Sequence, residues 1–223
     1  MLLQEQLSHG GIESKLLKAD RAALSCEVRY CSQVVFDRAR SRIMKENRST
    51  DYINHYSSLL GNIILASDGE ALTGLWFAGQ KYEGSTLAAE HEEKDLPVFD
   101  ETRRWLDAYF TGKDPGFTPP LRLRGTDFRK AVWQVLLTIP FGKTVTYGKI
   151  AAQIAQEAGR FVSARAVGGA VGHNPISLIV PCHRVLGADG SLTGYAGGVE
   201  RKEKLLELEQ SESKKQPRAL GDV

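Results

Sequence analysis

The chain is poor in sulfur, with three cysteines and two methionines among 223 residues. Three cysteines cannot all pair within one chain, which points to a reducing compartment. Long apolar runs are also missing. None reaches the roughly 18 residues that span a bilayer, and the first twenty residues hold no basic stretch followed by an apolar one. A membrane protein is thereby excluded, and the expectation is a cytoplasmic chain in which a thiol stays reduced and free to act as a nucleophile. Nor does one sign of charge dominate, since 29 Lys and Arg against 27 Asp and Glu leave +2, which points to no polyanionic partner. What is present, 42% hydrophobic and 25% charged residues, is ordinary for a globular protein. At about 150 residues per domain, the length allows one or two.

The small total hides segments of opposite sign. Residues 1–44 carry +2, residues 45–117 carry −6, residues 118–209 carry +5 and residues 210–223 carry +1. An acidic half followed by a basic one lets one face approach nucleic acid. Residues 1–44 have weak periodicity and are read as an N-terminal extension, with Met44 an alternative start and with Cys26 and Cys31 inside it.

Apolar runs at 62–66 and 71–77 flank Asp68-Gly69, a hairpin signal, because both turn residues accept positive φ. Residues 98–110 place Phe99, Trp105, Leu106, Tyr109 and Phe110 at helical spacing, and Gly112 ends the pattern. Three prolines and a glycine in 114–120 mark a linker, so a first domain is read over 45–117 and a second over 118–209, with a flexible tail at 210–223. In the second domain, Thr126 or Asp127 caps a helix with Phe128, Val132, Val135, Leu136 and Ile139 inward, and Thr146 caps another with Ile150, Ala151 and Ile154 inward. A third helix, from about Ser163 through Ala170, carries Arg165 among Ala164, Ala166, Gly168, Gly169 and Ala170. Small residues on a helix face let a backbone come close, either to another helix or to a nucleic-acid groove. The order helix, turn, small-residue helix in the basic half is helix-turn-helix-like. The β-branched run Ile176–Val180 is read as a short buried strand, and a last helix runs from about Val199 to Glu209.

Cys182 follows that run, between Pro181 and the pair His183-Arg184. A cysteine after four apolar residues is ordinarily core. A cysteine beside cationic or polarizable groups at a strand-to-turn junction is also where a thiolate nucleophile would sit. Metal binding is disfavoured, because no CxxC or HxxxH partner accompanies Cys182 and His183.

Taken together, the stretches Ile179-Val180-Pro181-Cys182-His183-Arg184-Val185, Ala164-Arg165-Ala166-Val167-Gly168-Gly169-Ala170 and Gly172-His173-Asn174-Pro175 resemble the O6-alkylguanine-DNA alkyltransferase family. Phe141-Gly142-Lys143-Thr144-Val145-Thr146-Tyr147 and Gly194-Tyr195-Ala196-Gly197-Gly198 extend the resemblance over about 126–209, and the region 59–117 resembles the family's N-terminal domain in length and order. The resemblance implies an α/β RNase H-like domain followed by a mainly α domain with the helix-turn-helix-like DNA-binding motif. It implies a monomer that needs no cofactor and acts on double-stranded DNA containing O6-alkylguanine, with O4-alkylthymine a second candidate lesion.

Carried over by residue, the resemblance makes Cys182 the alkyl acceptor and His183 its base through a bridging water, oriented by Glu209. Tyr147 would donate a hydrogen bond or a proton to the departing guanine, and Asn174 would hold the turn that carries Cys182. Arg165 would fill the gap left by the extruded nucleotide, on a helix whose Ala166, Gly168 and Gly169 approach the DNA. Tyr195, Ala196, Gly197 and Val185 would line the pocket. Two departures stand out: Ala196 replaces a serine found in some members, which leaves a roomier pocket, and residues 156–161 are a few residues longer. Cys26 and Cys31 do not make the four-cysteine zinc set of the family's transcription-factor fusions. A non-catalytic lesion binder and a cysteine hydrolase using Cys182, His183 and Glu209 remain as alternatives, the first opposed by the presence of Cys182 and the second by Arg165 and the small-residue helix.

Overall fold

Strand β1 (Asp51–Ser58) opens a four-stranded sheet in the computed structural model, which describes residues 50–213. The expected extension at 1–44, with its Cys26 and Cys31, lies outside the described residues. β2 (Gly61–Ser67) and β3 (Leu72–Phe77) form the hairpin expected around Asp68-Gly69, where Gly69 takes φ +104° and Asp68 Oδ1 accepts from the amides of Glu70 and Ala71. The sheet order is β3-β2-β1-β4, with β4 (His91–Glu93) parallel to β1 and the other pairs antiparallel. Helix α1 (Pro97–Phe110) starts with proline at its first position, where no amide hydrogen is needed, and buries Val98, Phe99, Trp105, Leu106 and Tyr109.

β3 is an edge strand, yet every residue in it is buried. The chain after the sheet covers this edge. Leu72 donates to Pro120 O at 2.8 Å and Arg122 donates back to Leu72 O at 2.9 Å. Further along, Leu75 donates to Pro175 O and Ser177 to Leu75 O, each at 2.8 Å. The free edge of the sheet thus pins the loop that precedes Cys182, and one hydrophobic core runs from Ile63 to Leu205 through both halves.

The second half is helical. Thr126 caps α2 (Asp127–Leu137) and accepts from the amide of Arg129, while Thr146 caps α3 (Tyr147–Ala158) and Ser163 caps α4 (Ala164–Gly172). Gly159, at φ +62°, ends α3 in the left-handed conformation that glycine adopts without strain. Trp133, buried on α2, donates Nε1–H to Ala170 O at 2.9 Å and ties α2 to α4. Two short strands, β5 (Val145–Thr146) and β6 (Val185–Leu186), pair in parallel. Helix α5 (Val199–Ser213) continues four residues past Glu209, so the start of the segment read as a tail is helical.

One local expectation fails. Ile176–Val180 is buried as anticipated but is not a strand, because only Ile176 bridges to Leu75. Leu178 takes φ +69°, and Val180 donates back to Ile176 O, so the run coils. Its carbonyls are met by a side chain instead of a strand: Asn174 Nδ2 donates to Ile176 O at 3.1 Å and to Val180 O at 2.7 Å. Cys182 therefore opens a single 3₁₀ turn, Cys182–Arg184, and does not sit at the end of a strand.

Candidate active site

Asn174 reaches the thiol as well. Its Nδ2 lies 3.1 Å from Cys182 Sγ, and its Oδ1 accepts from the Ile176 amide at 3.0 Å. One buried amide therefore shapes the loop and touches the sulfur. Cys182 is 4% exposed. Burial pushes its thiol up, while the Asn174 hydrogen bond and the charge of Lys202 pull it back down.

His183 follows on the same turn and is fully buried. Its Nε2 lies 2.6 Å from Glu209 Oε1 on α5. Burial drives the imidazole pKa down despite the carboxylate, so the ring is neutral, with Nε2–H donating to Glu209. The other nitrogen, Nδ1, is buried and has no hydrogen-bond partner among the described residues. It is the nitrogen left to accept a proton.

Glu209 collects more donors than the sequence foretold. Arg184 Nε donates to Oε2 at 2.9 Å and Nη2 to Oε1 at 3.0 Å, the Gly142 amide donates to Oε2 at 2.9 Å, and Tyr109 OH donates to Oε1 at 2.8 Å. Burial alone would raise this carboxyl, but His183 and Arg184 outweigh it and hold it at about 2. Tyr109 also lies 3.2 Å from His183 Nε2. Its place in the helical repeat of α1 marked it only as core, and nothing in the sequence links it to Glu209. Lys202 was missed too, hidden in the run Arg201-Lys202-Glu203-Lys204 that reads as solvated. It is buried, and its Nζ donates to Val185 O at 2.6 Å and Thr193 O at 2.9 Å.

The residues expected to line the pocket divide. Tyr147, first in α3, donates its hydroxyl to Thr193 O at 3.1 Å. Burial and the neighbouring Cys182 raise its phenol, so it keeps its proton. Burial pushes Tyr195 well above the usual phenol range, and Cys182 adds to the rise. Both tyrosines therefore lie in the electrostatic reach of the sulfur. Tyr195 and Ala196 line a cavity of about 400 Å³ with Gly168, Gly169, Gly172 and His173 of the α4 segment. Gly197 does not line it. It packs beneath the Tyr195 ring, where an added Cβ would come within 2.6 Å of Cε1, and it borders a separate cavity with Leu59 and Leu60. Val185 is buried in β6 and acts as packing and as the carbonyl partner of Lys202.

On α4, Arg165 and Ala166 are exposed, together with Gly169. A Cβ at Gly169 would meet nothing, and one at Gly168 would make only ordinary contact with the Tyr147 ring at 3.8 Å. No packing within the protein demands glycine at either position, which leaves this face open to an incoming surface. Among the described residues no group of His, Cys, Asp and Glu could hold a metal ion, and no helix is long and apolar enough to cross a membrane.

Fold and site together define a two-part protein with one buried cysteine among the described residues and an exposed small-residue helix face. Residues 52–123 match the 6-O-methylguanine DNA methyltransferase ribonuclease-like domain, and residues 127–211 match the DNA-binding domain of the same family. A methylated-DNA–protein-cysteine methyltransferase of Mycobacterium tuberculosis strain H37Rv is 50% identical over 160 residues, covering 70% of this chain and 93% of its own. Its namesake in Haemophilus influenzae is 43% identical, covering 71% and 86%. The crystal structure of Mycobacterium tuberculosis OGT in complex with DNA superposes with a TM-score of 0.63 at 46% identity, over 72% of this chain and 93% of that one. The chain belongs to the 6-O-methylguanine DNA methyltransferase family.

Proposed function

We propose that this chain repairs alkylated DNA by moving the alkyl group from O6 of guanine in a duplex onto Sγ of Cys182, once per molecule. The observation that carries the reading is the pairing of a buried thiol, held by Asn174, with a neutral imidazole whose Nε2 is fixed on an ionised Glu209. That arrangement leaves Nδ1 of His183 to take the thiol proton through a bridging water.

O6 of a stacked guanine faces the major groove inside the duplex, and in-line attack at its alkyl carbon needs sulfur behind that carbon. Extruding the nucleotide provides that approach, at a cost of a few kcal/mol that falls when the lesion already weakens pairing. Arg165, exposed near the start of α4, would occupy the gap, with the open Gly168-Gly169 face against the groove. The carbon–O6 bond breaks as the carbon–sulfur bond forms, and its electron pair stays on the purine. Tyr147, kept protonated by its surroundings, supplies the proton that lets guanine leave neutral. The thioether has no good leaving group, so the protein would not turn over. This separates the reading from a cysteine hydrolase, which would regenerate its thiol. The route needs one copy of the chain, no cofactor, and a reducing compartment such as the cytoplasm.

Incubation with duplex carrying labelled O6-methylguanine tests it. Label should appear on the Cys182 peptide and should be absent from Cys182→Ala, which still binds DNA. Label elsewhere, or release of free methanol in repeated turnovers, would contradict it.

A further inference from the structure

The cavity that holds Tyr195 and Ala196 is not closed by the helical half alone. Lys81 and Tyr82, from the turn that follows β3, also line it. The Tyr82 ring stacks on His173 with centroids 4.0 Å apart and planes 23° from parallel, and Lys81 Nζ sits 4.9 Å over the same ring. His173 is itself held, its Nδ1 lying 2.7 Å from Gly169 O on α4. The turn is fastened to the pocket on both sides: the Lys81 amide donates to Ala196 O at 3.0 Å, and Ser177 Oγ donates to Gln80 Oε1 at 3.3 Å.

The backbone gives an independent observation. Tyr82 has φ +64°, left-handed, a conformation that strains a residue with a Cβ and that glycine adopts freely. Gly79 and Gly84, three and two positions away, are left-handed as well and are glycine. A tyrosine kept where glycine would relieve strain is held there by what its ring does. Tyr82 is 38% exposed, so burial in the core does not account for it.

We infer that Tyr82, propped on His173, is a specificity-determining wall of the lesion pocket, contributed by the N-terminal domain, and that it limits the size of the O6-alkyl group the pocket admits. The inference rests on the alkyl-transfer reading above. Ala196 leaves room on one side of the cavity, and the Tyr82 ring takes up room on another. Cys182 itself does not line this cavity, so a methyl group at the sulfur stays clear of the Tyr82 ring, whereas a flat, bulky group that extends from the sulfur into the cavity competes with the ring for its volume.

The test is a ratio of rates. One duplex sequence carrying either O6-methylguanine or O6-benzylguanine is reacted under single-turnover conditions with the full chain and with Tyr82→Gly, Tyr82→Asn and Tyr82→Phe. Glycine removes ring and strain together, and asparagine tolerates the left-handed backbone, so two independent routes keep the turn while emptying the wall. The benzyl-to-methyl ratio should rise by about tenfold or more in Tyr82→Gly and Tyr82→Asn, and Tyr82→Phe, which keeps the ring, should retain the ratio of the unmodified chain. An unchanged ratio in the glycine and asparagine variants overturns the inference, and if it comes with a lowered melting temperature the ring is a structural prop only. Failure of the parent reading looks different, because then the unmodified chain takes up neither group.

Discussion

Arg184 and Glu209 face each other in the core as a two-bonded pair, with guanidinium Nε 2.9 Å from Oε2 and Nη2 3.0 Å from Oε1. The carboxylate is fully buried and the arginine nearly so. This pair lets a carboxylate stay ionised beside His183 in the interior. Arg184 also donates Nη1 to Ile139 O at 2.6 Å, which anchors the end of α2 to the same cluster.

Removing one partner strands the other. Arg184→Met is expected to cost about 3–5 kcal/mol of stability, because Glu209 would be left buried without its counter-charge. Urea denaturation at neutral pH reads this directly. Adding Glu209→Gln to Arg184→Met should recover part of the loss, and a strictly additive double variant would refute the pairing.

Acid should weaken the fold in two stages. His183 has a folded pKa below its ordinary 6.5, so the unfolded chain binds the proton first and stability drops as pH falls below that value. Glu209, held at about 2 against an ordinary 4.5, contributes stability that is complete above 4.5 and is lost as pH falls toward 2. The second stage corresponds to about 3 kcal/mol at one pKa unit per 1.36 kcal/mol. Melting temperatures from pH 7 to 3 should show both losses, and Glu209→Gln should flatten the lower one.

Asn174→Ala deletes the donor to Cys182 Sγ together with the bonds that close the 176–180 loop. The thiol should titrate higher than in the parent, seen as a shift to more alkaline pH in the rate of iodoacetamide labelling. If the profile stays in place, Asn174 serves the loop alone.

The sequence made the helical half legible because its helices carry their own punctuation: Thr126, Thr146 and Ser163 at the starts, and Gly159 at an end. The hairpin was equally plain from Asp68-Gly69. The coil at 176–180 was not, since β-branched composition reports burial and says nothing of an Asn174 side chain that takes over the partners of a strand. At the site, Cys182 and His183 came from a contiguous motif, and the resemblance linked them to Glu209. Tyr109 and Lys202 stayed hidden because the contacts that matter to them join positions 100 and 17 residues apart, and each wears the disguise of a common pattern, a helix core and a charge run.

Arg165→Ala should slow transfer from duplex O6-methylguanine far more than transfer from the free modified base, because only the duplex needs its gap filled. Single-turnover rates on the two substrates decide it. Equal slowing on both would remove Arg165 from base extrusion and leave it a general contributor.

Intact mass of the whole chain, followed over time with excess O6-methylguanine duplex, tests the central claim most directly. The account predicts a gain of one CH₂ per molecule, located on Cys182, with repaired base formed in equal amount and then no more. Repaired base continuing past one equivalent, or an unchanged protein mass, would contradict it.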